Sequence, residues 1–320
     1  MVKFIIPLLL LTAVAALNLG VGECDFSEFI QFCQGRELSE STKIIWLAIR
    51  LPRIIGTILA GGMLAAAGCT AQNLFRNELA SPHVLGVVNF AALGAVCGMF
   101  IGVNYLMPLS IIFGLTSLLI PIIPARRRNW NSSALILCGI ACNAFASALT
   151  GGLLYLADER LNSVVFWLMG GCWRMNWRDV IILAATALPG WVLLYRRSRE
   201  LDMLLLGDRA AELAGVPVKK IKFLLMFIIA LLTAMVVSCC GVIGFIGLAV
   251  PHICRMTAGA AFHKLLPASI LCGGWLLLAA DTLARTALPP QEIPVGILTA
   301  LLGGPFFFYL LWQKGGSNGD

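Results

Sequence analysis

Apolar runs of 16–24 residues recur along the whole chain, and nothing else in the sequence restricts the fold as strongly. They do not alternate with a period of two. A β-barrel needs alternating strands of ~10 residues, whereas a helix needs about 20 apolar residues to cross ~30 Å of hydrocarbon. Membrane-spanning helices therefore account for the pattern. Composition closes off the soluble alternative: 59% of the 320 residues are hydrophobic and 12% are charged, about half the charge of an ordinary soluble domain. A folded soluble chain of this size leaves roughly a quarter of its surface wet, and there is too little polar surface here to supply it. Disorder and a collagen-like fibre are excluded on the same grounds.

The expected fold is all-α and polytopic, one transmembrane domain over residues 1–320. Ten spans are expected at about 4–19, 54–74, 86–103, 106–123, 134–156, 180–195, 222–240, 242–258, 265–284 and 294–312. Nine is the competing count, because only Gly241 separates two of them and the pair also reads as one bent helix. The first span also carries signal-peptide features: Lys3, an apolar stretch from Phe4 to Leu17, and small Ala13, Ala15 and Ala16. Cleavage would move the start to about residue 20. An uncleaved helix is expected, since the topology then closes at both ends.

With the N-terminus inside, 15 of the 23 basic residues fall on the cytoplasmic side, among them Arg126–Arg128, and 8 fall outside. Acidic residues split 6 inside and 10 outside. This satisfies the positive-inside rule. The net charge of +7 thus reads as orientation in a lipid bilayer. No basic stripe interleaved with aromatics points to nucleic acid.

Absent motifs narrow the class. Gly-Lys does not occur, so the chain carries no P-loop. H-E-x-x-H and G-x-S-x-G are missing too. His83, His252 and His263 are scattered, and the 11 cysteines include no C-x-x-C. Cys24 and Cys33 share the first outside loop, as a disulfide in an oxidising compartment or as two free thiols. Inside the spans the main ionisable candidate is Asp281, with Arg285 one helical turn on. A proton-coupled carrier usually needs more than that. The poverty favours a passive membrane half of a larger machine.

Several long blocks then become specific. Arg50-Leu51-Pro52-Arg53 precedes a Gly/Ala-rich span, followed by Gln72-Asn73-Leu74-Phe75-Arg76-Asn77-Glu78-Leu79-Ala80-Ser81-Pro82 and Leu85-Gly86-Val87. Later come Leu206-Gly207-Asp208 through Leu213-Ala214-Gly215-Val216, and Gly241-Val242-Ile243-Gly244-Phe245-Ile246-Gly247-Leu248 with Pro251-His252-Ile253 and Arg255. Ala280–Arg285, Glu292–Gly296, Thr299-Ala300 and Gly303-Gly304-Pro305-Phe306 complete the set. In this order, over about residues 44–312, the chain resembles the FecCD permeases, the membrane subunits of ABC importers for ferric siderophores, haem and vitamin B12. It departs from them at Glu78, where the family usually has proline, and at Asn89-Phe90.

The resemblance implies a type II importer architecture. It implies a homodimer, two ATPase subunits inside that carry the ATP and Mg, and a substrate-binding protein outside. No cofactor and no catalysis are expected in this chain. The coupling loop that docks on the ATPase maps to Leu206, Gly207, Asp208, Ala211, Leu213, Gly215 and Val216. Docking of the binding protein maps to Arg50, Arg53 and Arg285, for which the residues alone also allow pairing with Asp281 and Glu292. Pathway and gate map to Asn131, Ser132, Ser133, Gly244, Pro251, Thr299 and Gly303, although Asn-Ser-Ser also reads as an ordinary helix cap.

Read physically, the loop over 196–221 is basic and amphipathic, with Leu201, Leu204, Leu205, Leu213 and Val216 set against Asp202, Asp208, Arg209 and Glu212. A short helix along the membrane face is expected. Gly94, Gly98 and Gly102 make a small-residue row that packs either within the chain or on a second copy. The expected cargo is a ferric siderophore complex carried across the bacterial inner (cytoplasmic) membrane, with vitamin B12 and haem as alternatives. A secondary transporter independent of ATP and an intramembrane enzyme are the readings from other classes.

Overall fold

The computed structural model describes residues 40–121 and 132–316. The first expected span, Cys24, Cys33, Arg126–Arg128 and Asn131 lie outside the described residues. Every regular element among the described residues is helical. In chain order these are α1 (Glu40–Ile44), α2 (Leu51–Phe75), α3 (Val87–Ile101), α4 (Val103–Thr116), α5 (Ser132–Tyr155), α6 (Leu161–Leu168), α7 (Trp177–Arg196), α8 (Ser198–Leu205), α9 (Asp208–Leu213), α10 (Val218–Cys240), α11 (Ile246–Ala258), α12 (Phe262–Thr286) and α13 (Val295–Gly316). Short 3₁₀ turns sit at Pro82–Leu85 and Asp158–Arg160. Six helical stretches are long and apolar enough to cross a membrane: Thr42–Phe75, Val103–Pro121, Ser133–Tyr155, Trp177–Arg196, Val218–Cys240 and Phe262–Thr286. Val87–Ile101 and Val295–Pro305 are shorter apolar helices. The chain is a polytopic helical membrane protein.

Two boundaries differ from those read in the sequence. The span expected from residue 54 is one rod from Thr42, because a π-helical turn, Ile45–Arg50, joins α1 to α2. Pro52 would crowd the carbonyl four residues back in a regular helix, and the wider turn just before it relieves that. At Gly241 the chain does not bend as one helix. Gly241 and Phe245 both have positive φ, 68° and 64°, and residues 241–245 are non-helical. The helix beyond, α11, has 13 residues and is ~20 Å long, short of the ~30 Å core that the expected 242–258 span was to cross.

The Gly/Ala-rich α2 is the axis of the bundle, with 83% of its most apolar window buried. Little hydrophobic drive exists between helices in lipid, so close van der Waals packing must hold them. Small residues make it possible. A Cβ on Gly61 would strike the Gly273 carbonyl of α12, and one on Gly68 would strike the Gly247 carbonyl of α11. Gly94 and Gly98 of α3 abut Leu109 and Leu106 of α4, so these two members of the small-residue row pack within the chain. The corresponding windows of α4, α5 and α7 are only 22–28% buried and turn apolar side chains outward.

Two ends are well defined. The backbone N–H of Phe262 donates to Asp202 of α8 at 2.9 Å, tying the start of α12 to the 198–217 loop. Asp281 lies on the same helix, ~28 Å further along it at about 1.5 Å per residue. Loop and carboxylate therefore occupy opposite ends of the bundle.

Candidate functional site: loop end, apolar cavities and arginine end

The loop after α7 folds as two short helices rather than one. Leu201, Leu204 and Ala211 are buried and anchor it. Gly207, at φ 112°, sets the turn between α8 and α9. α9 ends in a Schellman motif: Val216 N–H donates to Ala211 O and Gly215 N–H to Glu212 O, both at 2.9 Å, with Gly215 left-handed at φ 82°. Leu213, one of the apolar residues of the amphipathic pattern and of the expected coupling loop, is 89% exposed, and Leu206 is 71% exposed. A six-residue helix closed this tightly cannot turn every apolar residue to one side. Asp208 accepts from Lys222 Nζ at 2.6 Å, and Arg76 lies 3.8 Å from its other oxygen. The Lys222 side chain is 1% exposed.

A polar seam runs beside this loop, and the sequence reading did not foresee it. Arg255 donates to Asn73 Oδ1 at 3.0 Å, and Gln72 donates to the Leu248 carbonyl at 3.1 Å. Glu78, the residue that departs from the family pattern, sits 3.6 Å from His252 Nδ1. An amide pair inside an otherwise apolar rod was the available signal, since buried polar groups require partners.

The expected pathway residues are partly brought together. Thr299 and Gly303 of α13 line an apolar cavity of about 210 Å³ with Phe245 and Ile246. Gly244 lines a second cavity, about 270 Å³, with His83 and, again, Phe245. Thr299 Oγ1 donates to the Gly296 carbonyl at 3.1 Å, capping its own turn. A Cβ on Gly303 would run into the Phe245 ring. Pro251 is buried within α11 and borders neither cavity. Ser133 is exposed at the start of α5. Phe245, which the sequence reading left without a role, borders both cavities on a left-handed backbone that non-glycine residues rarely adopt.

At the other end, Arg53 clamps two carboxylates. Its Nε and Nη2 donate to both Asp281 oxygens at 2.9–3.2 Å, and its Nη1 and Nη2 donate to the Glu292 oxygens at 3.0 and 2.9 Å. Asp281 is fully buried and Glu292 about one-third exposed. Arg285 Nε is 3.9 Å from Asp281. Arg50 stacks its guanidinium over the Trp46 ring at 4.6 Å. Pairing with Asp281 and Glu292, one of the two readings the residues allowed, is thus present for Arg53. Three arginines against two carboxylates leave the cluster at a net +1.

Long apolar helices around a small-residue axis, with an exposed loop at one end and a charged cluster at the other, define a polytopic α-helical permease. The chain belongs to the FecCD transport family, whose model matches residues 8–313, and is the permease subunit of an ABC importer. It is 38% identical to the hemin transport system permease protein HmuU of Yersinia pestis, over 98% of this chain and 96% of that one. It is 36% identical to the Fe(3+)-citrate import system permease protein YfmE of Bacillus subtilis, over 97% and 95%. The structure matches an inward-facing, metal-chelate type ABC transporter with a TM-score of 0.88 and 32% identity, covering 97% of this chain and 98% of that one.

Proposed function

We propose that this chain is the membrane half of a type II importer with about ten transmembrane helices. It pairs with a second copy, the pair takes two ATPase subunits, one on each 198–217 loop, and a substrate-binding protein docks at the Arg50, Arg53 and Arg285 cluster. ATP and Mg belong to the ATPase subunits, and this chain moves cargo by alternating access. The basic excess at the loop end orients that end to the cytoplasm of a bacterial cell membrane. The observation that carries the reading is the pair of exposed leucines, Leu206 and Leu213, on a loop held by buried anchors. An apolar knob on a rigid base suits a groove in a soluble subunit.

The cargo we propose is an iron chelate, with a ferric siderophore first. Relatives named for hemin and for Fe(3+)-citrate both carry iron, which keeps haem as the second reading and vitamin B12 behind it. Apolar cavities beside Phe245, Gly244, Thr299 and Gly303 suit a bulky chelate passing without tight recognition. Leu206→Asp with Leu213→Asp tests the coupling assignment. Both side chains are exposed, so the fold should survive while the ATPase subunit no longer co-purifies. Full ATPase retention and wild-type transport in that variant would remove the coupling role. Uptake in proteoliposomes with and without ATP separates the importer from an ATP-independent carrier, and ferric siderophore against haem separates the cargoes.

A further inference from the structure

A half-polar cavity of about 480 Å³ opens at the arginine end, away from the Arg53 cluster, between the start of α4, the start of α7 and the last turn of α10. Its polar wall holds Arg174, Arg178, Asn104 and Asn176. Among the described residues neither guanidinium has an ion-pair partner within 4.0 Å. Asp179 shares the wall, but its carboxylate turns back to accept the Asn176 N–H at 3.3 Å in a capping box. Two arginines against one carboxylate give the cavity a net positive charge. Its other wall is apolar, formed by Leu106, Met107 and Pro108.

We propose that this cavity binds the phosphodiester of an anionic glycerophospholipid, with the headgroup on the two arginines and the acyl chains along the α4–α7 groove. Planar guanidinium forks suit phosphate oxygens, and the amides of Asn104 and Asn176 suit glycerol hydroxyls. The flanking helices argue for lipid over a soluble anion. α4 and α7 are mostly unburied in their apolar windows, and Ile181, Leu188 and Val192 lie exposed along α7. Tyr105 and Trp177 stand exposed at the level of the cavity, where aromatic side chains mark the membrane interface. Trp177 Nε1 also donates to the Leu47 carbonyl at 2.7 Å, fixing α7 to the rod that bears Arg50 and Arg53.

The test is retention of phosphatidylglycerol against phosphatidylcholine on the purified full chain, counted by native mass spectrometry. A second readout is melting in nanodiscs of either lipid. Wild type should prefer phosphatidylglycerol, and Arg174→Gln with Arg178→Gln should cut that preference about tenfold or more. Asn104→Trp fills the cavity without touching a charge and should do the same. Arg160→Gln, an arginine that donates to the Met99 carbonyl instead, should leave the preference intact. Undiminished phosphatidylglycerol retention in both cavity variants would overturn the site. Inorganic phosphate raising the melting temperature in detergent as much as phosphatidylglycerol does would overturn the lipid as its occupant.

Discussion

Gly303 faces the Phe245 ring because it has no Cβ, and Phe245 holds a conformation that costs ~1–3 kcal/mol for a non-glycine residue. Such strain persists only where the surroundings over-determine it. Gly303→Leu should therefore displace the ring, close the cavity beside Thr299 and abolish transport, with the ATPase subunit still bound. Wild-type uptake by that variant would remove Gly303 and Phe245 from the pathway. Gly68 supplies a purely structural contrast. Its missing Cβ lets α2 touch α11, so Gly68→Ala should lower stability by about 1–3 kcal/mol through overpacking, read as a lower melting temperature in detergent.

Between elements, the Asp208–Lys222 pair fixes the start of α9 to the root of α10. The two partners are unequally buried: the Lys222 side chain is 1% exposed and that of Asp208 31%. Removing one member of a pair is costly when the survivor stays buried, about 3–5 kcal/mol at the extreme. Asp208→Asn should therefore destabilise more than Lys222→Met, which leaves Asp208 facing water and Arg76. Equal losses in thermal melts would mean that burial does not set the cost. The arginine cluster obeys the same logic. Arg53→Met removes the hydrogen-bonded partner of the buried Asp281, leaving it only Arg285 among the described residues, at 3.9 Å, and should damage folding itself, so it cannot report on docking. Arg50→Gln with Arg285→Gln is the cleaner pair: binding-protein affinity should fall at low salt and approach wild type at high salt, as charge-steered association does. Unchanged affinity at both salt levels would leave the cluster a structural device alone.

For the whole molecule, the proposed orientation can be read with single cysteines. Ser198 is a poor reporter, being 6% exposed with its hydroxyl donating to the Tyr195 carbonyl. Glu212 and Glu159 are exposed at the two ends. With Cys24 and Cys33 replaced, Glu159→Cys should label in intact cells, and Glu212→Cys only after permeabilisation. The reverse pattern would invert the topology. The nine cysteines among the described residues are buried or half-buried, which keeps the background low.

Membrane class, the positions of the six long apolar helices and the location of the loop were legible in the sequence, because each depends on local quantities: apolar length, charge bias and glycine placement. Span ends were less so. The rod from Thr42 and the break at 241–245 depend on a π-helical turn and two left-handed residues, which apolar length does not register. Glycine spacing announced close packing on α3, but not that α4 of the same chain would fill it. Arg53 and Asp281, 228 residues apart, were individually visible, and pairing between them was one of two open readings. Leu213 followed the amphipathic pattern yet points outward. The Asp208–Lys222 pair and the cavity under Arg174 and Arg178 had no sequence signal. The physical reason is one of range. Periodicity reports what a residue needs from its surroundings, a partner for a charge or a cover for an apolar face. Which distant residue supplies it is decided only when the helices pack.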